Sequence, residues 1–308
     1  MKISIVTTLY KSSQYIGEFY ERVSKTAQKL AGDDYEIIFV NDGSPDDGID
    51  IAVKLSQDDD HILVVDLSRN FGHHKALMTG LSYAKGELIY LLDSDLEEEP
   101  EWLLNFFEKL NENKCDVIYG VQEKRRGGWF EKWSGNLYFF VTSLMIDVKL
   151  PKNITTSRLM TKSYVDALLL HRESEIIISG LWQITGFDQR PHKVKKHSSA
   201  NSTYTTRDKF RLVIDTITSF SAKPLLYIFY VGLIIFLITV IYALFLFVNR
   251  ILFNQIMDGW TSLMVSIWIL GGIIISFIGI IGIYLSKIFS ETKNRPYVIV
   301  KRTYKNEK

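Results

Sequence analysis

The sequence has 308 residues, with 36 Lys and Arg against 35 Asp and Glu and a formal net charge of +1. That balance argues against a protein that binds nucleic acid through its overall charge. With 47% hydrophobic and 13% aromatic residues, the chain can bury a core and has apolar residues left for a second module. The single cysteine, Cys115, excludes an internal disulfide and is expected in the core.

Strand-like and helix-like segments alternate along the first part of the chain. Strands are predicted at Ile3 to Leu9, Glu36 to Val40, Ile62 to Leu67, in an apolar run that begins at Glu87, and around Val117. Helices are predicted from Ser13 to about Leu30, from Pro45 with Ser44 as its cap, up to Gly86, and from Pro100 to about Asn111. The alternation predicts an α/β fold, a mostly parallel sheet with helices on both faces.

Polar side chains follow three of these strands, at the point where each strand ends. They are Asn41-Asp42, Arg69-Asn70 and Asp93-Ser94-Asp95. In open sheets of this kind ligands bind at the carboxyl ends of the strands. The sequence therefore predicts one ligand site at this edge of the sheet.

The acidic cluster predicts a metal site. Asp93 and Asp95 lie two apart, so in extended chain both carboxylates leave the same face, with Glu97 next in step. Such oxygen ligands suit Mg²⁺ or Mn²⁺, which neutralises a diphosphate. Asp42 can accept hydrogen bonds from a base edge or a ribose, beside a turn at Gly43. No glycine pattern of a P-loop NTPase or a dinucleotide oxidoreductase is present, which argues against both classes.

Two long segments near the carboxyl end carry no charge, 224–248 and 259–286. Each is long enough, at about 1.5 Å per residue, to cross roughly 30 Å of hydrocarbon. We expect two membrane-spanning helices; the alternative is a pair of helices buried in a soluble core. Basic residues flank the pair on both outer sides, so both termini are expected in the cytoplasm and the short loop outside. The N-terminus shows no signal-peptide pattern.

In their order along the chain, Val40-Asn41-Asp42-Gly43-Ser44, Ser68-Arg69-Asn70-Phe71-Gly72, Asp93-Ser94-Asp95 and Ser157-Arg158-Leu159-Met160, followed by two spans, resemble the family-two glycosyltransferases. These have a GT-A (Rossmann-like) fold. Within them the chain is most similar to the bacterial polyisoprenyl-phosphate glycosyltransferases of the GtrB kind, relatives of dolichyl-phosphate mannose synthase.

The resemblance implies roles for individual residues. Asp93, Asp95 and Arg158 are expected to act in catalysis. Asp93, Asp95 and Glu97 are expected to bind the metal. The nucleotide sugar is expected to contact Thr8, Tyr10, Asp42, Arg69, Asn70, Lys75, Asp93 and Ser94. The lipid phosphate is expected to contact Lys124, Arg125, Arg126, Arg158 and Arg207. For each basic residue except Arg158, a solvated surface position is an equal alternative.

The chain departs from the family pattern at three places. Thr8 to Ser12 stands where the family usually has Pro-x-Tyr-Asn-Glu, and Ser202-Thr203-Tyr204 stands where it has Ser-Lys-Tyr. Thr156 stands where many members have an aspartate sometimes proposed as a base. A phosphate acceptor needs no base, because its second pKa is about 6 and it is already anionic near pH 7.

The sequence predicts a membrane-anchored, inverting glycosyltransferase that moves a hexose from a UDP-sugar to undecaprenyl phosphate. The product would be flipped by a separate flippase and used to modify a cell-surface glycan such as O-antigen or teichoic acid. We expect the protein in the bacterial inner membrane. A homo-oligomer is expected, and relatives suggest a tetramer. No nucleic acid partner is expected. Alternatives are a non-catalytic scaffold subunit or a polysaccharide synthase, although the Gln-x-x-Arg-Trp motif of the latter is absent.

The expected organisation has six parts. A catalytic domain spans 1–206, an interfacial amphipathic helix 207–223, the first transmembrane helix 224–248, a short external loop 249–260, the second transmembrane helix 261–286 and a basic cytoplasmic tail 287–308. For the helix within 207–223, an ordinary amphipathic helix on the soluble domain is the alternative. A second amphipathic segment, from Trp129 to Met145, is expected at the level of the lipid headgroups.

Overall fold

The computed structural model describes residues 2–122, 153–173, 175–196, 217–253 and 259–306, with the single positions 145, 151 and 214. The chain divides into two compact units. The first, called the sheet unit here, comprises Met1–Phe139, Val148–Tyr204 and Arg295–Lys308. The second, called the helical unit, comprises Phe140–Asp147 and Thr205–Asn294.

The sheet unit contains an eight-stranded mixed sheet in the order β7-β5-β6-β4-β1-β2-β3-β8. Neighbours β1 and β2, β1 and β4, β2 and β3, and β5 and β7 are parallel. The pairs β4 and β6, β5 and β6, and β3 and β8 are antiparallel. The strands are β1 (Ile3–Leu9), β2 (Tyr35–Asn41), β3 (Ile62–Leu67), β4 (Leu88–Leu91), β5 (Val117–Gln122), β6 (Ile154–Thr161), β7 (Gln189–Val194) and β8 (Val300–Tyr304).

The helices connect these strands as the alternation predicts. In the sheet unit they are α1 (Ser13–Ala31), α2 (Gly48–Asp58), α3 (His73–Tyr83), α4 (Trp102–Asn113), α5 (Lys162–Leu168) and α6 (Ile178–Ile184). The helical unit contains α7 (Lys223–Phe253) and α8 (Trp260–Thr292). The predicted α/β class, with a mostly parallel sheet and two apolar C-terminal helices, is confirmed.

The central strands are buried on both faces. Alternate residues of a strand point to opposite faces, and Ile5 and Phe39 lie in the core cluster with Phe19 of α1. The neighbouring residue Val6 faces the other way, toward α3. There a Cβ built on Gly80 would lie 2.5 Å from Val6 Cγ1, so α3 rests on the strands at a distance that only glycine permits.

Two predicted helix starts were wrong by a few residues. Helix α2 begins at Gly48 rather than at Pro45, because the Ser44 hydroxyl accepts a hydrogen bond from the Lys11 N–H (2.7 Å) and does not cap the helix. Helix α4 begins at Trp102 rather than at Pro100. Pro100 forms a turn first, with its carbonyl accepting from the Leu103 N–H at 3.2 Å.

Both helices of the helical unit are long and apolar enough to cross a membrane. They extend past the predicted spans, to Phe253 in α7 and Thr292 in α8. Polar groups near the end of α8 contact the residues just before α7: the Tyr284 hydroxyl donates to the Ser221 carbonyl (2.7 Å) and Lys287 Nζ to the Ser219 hydroxyl (2.7 Å). Most of the predicted interfacial helix 207–223 lies outside the described residues.

The segment after α8 differs from the basic tail that the sequence predicts. Residues 300–304 form β8, which pairs antiparallel with β3 at one edge of the sheet. The segment therefore belongs to the sheet unit rather than forming a tail of its own.

Candidate active site

The candidate site lies where β2, β3 and β4 end, since the three polar clusters lie at the ends of those strands. Two loops meet there, residues 42–44 after β2 and residues 68–72 after β3. We call them the paired loops. The Asp42 carboxylate joins them: Oδ1 accepts from the Phe71 N–H (2.7 Å) and Oδ2 from the Gly72 N–H (3.0 Å).

The Asp42 carboxylate is almost fully buried, with 2% of the residue exposed. Burial raises the pKa of Asp42, while the hydrogen bonds from the Phe71 and Gly72 N–H groups oppose that rise. With both oxygens bonded to backbone, Asp42 shapes the paired loops. Its predicted direct contact with a base or ribose stays a prediction.

Gly43 allows the two loops to touch backbone to backbone. Its φ is 58°, in the left-handed region that favours glycine. A Cβ at Gly43 would lie 2.5 Å from the carbonyl carbon of Arg69 and would also collide with the Asn70 nitrogen. The Asp-Gly pair is therefore required by packing: the aspartate holds the second loop and the glycine makes room for it.

The side chains of Arg69 and Asn70 are exposed at this edge. The Arg69 guanidinium lies over the Phe71 ring, 4.1 Å from its centroid, and donates to the Asn70 carbonyl at 3.0 Å. Both residues are thus held in place while their outer faces are free to meet a ligand. Tyr10 is also exposed, at 48%, and Lys11 Nζ lies over its ring.

The acidic segment after β4 does not continue as an extended strand. The strand ends at Leu91, Ser94 and Asp95 lie in a turn, and Leu96 has a φ of 59°. The predicted extended geometry of Asp93 and Asp95 is therefore wrong. Their carboxylates still interact: burial and then the charge of Asp93 raise the pKa of Asp95, whose Oδ1 accepts from the Glu97 N–H (3.0 Å).

Asp93 is linked to the end of β1 through a histidine. His73 Nε2 lies 3.4 Å from Asp93 Oδ1, and His73 Nδ1 lies 3.1 Å from the Thr8 hydroxyl. The Ser94 hydroxyl donates to the Thr8 carbonyl (2.8 Å) and is buried. Ser94 therefore fastens the acidic turn to β1, and its predicted contact with the nucleotide sugar stays a prediction.

A lysine closes the other side of the acidic segment. Lys196 Nζ lies 2.9 Å from Glu97 Oε2 and 3.7 Å from Glu98 Oε1. Glu98 is fully buried and accepts from the backbone N–H groups of Thr156 (3.1 Å) and Ser157 (2.7 Å). Burial, then the charge of Asp93, raise the pKa of Glu98 to about 8.

The donor chemistry of this segment suits a hard divalent cation. Asp93 Oδ1 is buried and accepts no hydrogen bond from the described residues, although His73 Nε2 lies 3.4 Å away, and burial, then the charge of Asp93, raises the pKa of Asp95. In the described part of the chain no three Asp, Glu, His or Cys side chains already form a metal site. Asp93 and Asp95 fit as ligands, whereas Glu97 pairs with Lys196.

Comparison with known proteins identifies the family. The model of glycosyl transferase family 2 matches residues 4–169. The chain belongs to glycosyltransferase family 2. It is 49% identical over 99% of its length, and 89% of the relative's, to a Mycobacterium tuberculosis (strain CDC 1551 / Oshkosh) protein named only as a glycosyltransferase. This confirms the family that the motifs predicted and a transferase activity.

Two further relatives of this family-two glycosyltransferase have more specific names. A prophage bactoprenol glucosyl transferase homolog of Escherichia coli (strain K12) is 29% identical, covering 99% of this chain and 100% of that one. The bactoprenol glucosyl transferase of Shigella phage SfII is 28% identical, covering 99% of each. Among solved structures, Staphylococcus aureus TarS 1-349 in complex with UDP-GlcNAc matches with a TM-score of 0.48 at 18% identity, over 71% of this chain and 66% of that one.

Arg158 is not at the exposed edge of the glycosyltransferase site. It is 1% exposed, and its guanidinium lies 2.9 Å from the centroid of the Trp182 ring. Burial lowers the pKa of Arg158 to about 9, and the nearby Tyr164 and Glu98 oppose that change. In this geometry Arg158, a residue of β6, packs in the core against Trp182. Its predicted roles in catalysis and at a phosphate stay predictions.

The remaining predicted residues of the glycosyltransferase fall in two groups. Lys75 lies in the first turn of α3 and is partly exposed. The predicted lipid-phosphate ligands outside the described residues are Lys124, Arg125, Arg126 and Arg207, together with most of the segment from Trp129 to Met145. Sequence reasoning gave no role to Lys196, whose position follows β7 and comes close to the acid cluster only through the fold. For His73, just past the Gly72 turn, the sequence left open a role at the diphosphate or a surface position.

Proposed function

We propose that this glycosyltransferase moves a hexose from UDP to a polyprenyl phosphate at the membrane surface. The observation that carries the proposal is the acidic pair Asp93 and Asp95 beside the paired loops, in a chain that ends in two apolar helices. Relatives named for bactoprenol glucosyl transfer match over both the sheet unit and the helices, which supports the acceptor.

The nucleotide end of the donor is assigned to the paired loops. Arg69 and Asn70 are exposed there and held in place, and Tyr10 offers an exposed ring for a base to stack on. The diphosphate is assigned to the start of α3, where His73 and Lys75 lie. A helix N-terminus favours anions, and α3 has no acidic residue in its first turn.

A divalent cation, Mg²⁺ or Mn²⁺, would be held by Asp93 and Asp95. When bound, it neutralises charge on the diphosphate that leaves. His73 holds Asp93 toward β1, and Lys196 holds Glu97 aside. Asp95 itself is held in the turn by the Glu97 N–H, which donates to its Oδ1 at 3.0 Å.

The acceptor oxygen needs no base from the protein. A phosphate monoester is anionic near pH 7 because its second pKa is about 6. One phosphate oxygen forms a bond to the anomeric carbon while the bond from that carbon to the UDP oxygen breaks, with inversion. The residue at position 156 agrees with this, because it is a threonine where many members of the family have an aspartate. The Thr156 N–H donates to the buried Glu98. Lys124, Arg125, Arg126 and Arg207 are the proposed cations for the lipid phosphate.

The sheet unit and both ends of the helix pair would lie on one side of the membrane. The chain leaves the sheet after β7 and rejoins the same sheet at β8, so a hairpin of two spans must return to the side from which it started. The basic flanks support the cytoplasm as that side, with the bacterial inner membrane as the proposed membrane. A separate flippase would then expose the polyprenyl phosphosugar for surface-glycan modification, and the exposed apolar helix faces would suit a homo-oligomer such as a tetramer.

Turnover with defined substrates tests the proposal. The full-length protein in detergent is given undecaprenyl phosphate, Mg²⁺ or Mn²⁺, and each of a panel of labelled UDP-sugars. We expect one UDP-hexose to be consumed and a labelled lipid phosphosugar to form. Binding of UDP without consumption of any donor would overturn the proposal and favour a non-catalytic subunit, and a growing polysaccharide would favour a synthase.

A further inference from the structure

The segment after α8 crosses several elements of the sheet unit. We call residues 295–306 the strap. The Ile299 carbonyl accepts from the Ser68 N–H (2.9 Å), and β8 then pairs with β3. Near its end, the Asn306 side chain donates to the Gln57 carbonyl of α2 at 3.0 Å. The strap begins three residues after the last residue of α8, so the chain leads directly from a membrane-type helix into this sheet edge.

The start of the strap also reaches α3. Tyr297 is half-buried, burial raises the pKa of its hydroxyl, and the nearby Thr79 side chain opposes that rise. Thr79 in turn donates to the Lys75 carbonyl at 2.8 Å. One end of the strap therefore contacts the helix whose first turn we assign to the donor diphosphate.

A chain of polar contacts leads from β8 to the first of the paired loops. Lys301 Nζ lies 3.6 Å from Asp66 Oδ2, and Asp66 Oδ1 accepts from the Asn41 side chain (2.8 Å). The Asn41 side-chain oxygen accepts from the Ser44 N–H (3.2 Å). Asp66 is only 5% exposed, and a buried carboxylate depends on such partners because desolvation is costly.

A second route leads from the strap to the other paired loop. Ser68, which donates to Ile299, is the first residue of that loop, and the N–H groups of Phe71 and Gly72 further along it bond to Asp42. The strap thus contacts the base of both paired loops, one through Asp66 and Asn41, the other through Ser68.

We propose that the strap is a positioning element for the paired loops. A docked strap holds Asp42, Phe71 and Gly72 in the arrangement that receives the donor. By thermodynamic reciprocity, a donor bound to the loops also favours the docked strap. The inference rests on the proposed function only for the identity of the donor, since the contacts exist without it. If the strap only covered a sheet edge, its detachment from β3 would not change the structure of the paired loops.

Hydrogen exchange in the full-length protein tests the coupling without any ligand. Lys301→Glu places a second carboxylate beside Asp66, and Val300→Pro removes a backbone donor from β8. Lys305→Glu is the matched control, with the same charge change at an exposed position beyond β8. We expect the two strap variants to speed exchange of the β8 amides and, by at least about fivefold, of the Phe71 and Gly72 amides, with the control unchanged.

Two outcomes would overturn the inference. Faster exchange in β8 with unchanged exchange at Phe71 and Gly72 would show that the strap is not coupled to the loops. Unchanged β8 exchange in both variants would show that the contacts named above do not hold the strap. A UDP-sugar assay separates the two proposals: if exchange changes as expected while no variant or wild-type protein consumes a donor, only the proposed function fails. If transfer occurs, the strap variants should raise KM at least about fivefold with little change in kcat.

Discussion

The Asp42 carboxylate accepts a hydrogen bond from the Gly72 N–H at 3.0 Å, and so joins two loops that lie 30 residues apart in sequence. This contact explains the Asp-Gly pair after β2 better than a direct role at the base does, because both Asp42 oxygens bond to backbone. Gly43 completes the joint by leaving room for the backbone of Arg69. The paired loops, to which we assign the donor, are thus held together by contacts within the protein itself.

Gly43→Ala should separate the paired loops. The new Cβ would collide with the backbone of Arg69 and Asn70 at a φ of 58°, where alanine is strained. We expect UDP affinity to fall at least about tenfold and the free energy of unfolding to fall by about 1–3 kcal/mol. Isothermal titration with UDP and chemical unfolding in detergent measure the two effects. Gly17→Ala in α1 is the control, since its Cβ would meet nothing within 4 Å; equal UDP affinity in both variants would contradict the packing argument.

Glu98 makes the stability of the metal-free protein depend on pH. Burial raises its pKa in the folded protein from the ordinary 4.5 to about 8. Between these values the folded state binds a proton that the unfolded state lacks, so stability falls as pH rises, by at most about 1.4 kcal/mol per pH unit. Unfolding in chelator between about pH 5 and pH 8 measures the slope.

Glu98→Gln should flatten that slope, because the amide does not titrate. The exposed Glu87 supplies the control Glu87→Gln, which should keep the wild-type slope. If Glu98→Gln and wild type lose stability equally between those pH values, Glu98 is not the group that holds the proton.

Arg158→Lys distinguishes a core residue from a phosphate ligand. The substitution keeps the charge but loses the planar group that lies on Trp182. We expect the free energy of unfolding to fall by about 2 kcal/mol, seen in the midpoint of chemical unfolding. Arg190→Lys, at an exposed arginine paired with Asp188, should change it little. A fully stable Arg158→Lys protein that has lost transfer would instead place Arg158 at a phosphate.

Asp95→Asn should abolish transfer while preserving the fold. The asparagine oxygen can still accept from the Glu97 N–H, but the charge that would hold the cation is gone. We expect kcat to fall at least about 100-fold with an unchanged unfolding midpoint. Asp58→Asn, an exposed aspartate at the end of α2, is the control for the loss of one carboxylate. Undiminished turnover in Asp95→Asn would exclude it as a metal ligand.

Much of the sheet unit could be predicted from the sequence because its first strands are long, apolar and separated by helices. Strands β1 and β3 have the predicted bounds. The three polar clusters follow the strands as expected, since parallel strands bring their carboxyl ends to one edge.

The rest depends on contacts between distant parts of the chain. The sequence of β8 is short and contains Lys301 and Arg302, so it looks like a basic tail. It forms a strand through its antiparallel pairing with β3. Lys196 reaches Glu97 only because β7 lies in the same sheet. The turn at Leu96 replaces the extended geometry that the spacing of the aspartates favoured. None of these has a local sequence pattern.

The most direct test of the central claim compares two acceptors. Wild-type protein with Mg²⁺ or Mn²⁺ and its preferred UDP-sugar is given undecaprenyl phosphate or undecaprenol, and labelled lipid is measured. If the acceptor must already be ionised, we expect rapid transfer to the phosphate and none to the alcohol. If Asp93 and Asp95 hold a required cation, we expect transfer to be lost in excess chelator. Equal or faster transfer to the alcohol, or full activity in chelator, would contradict the account.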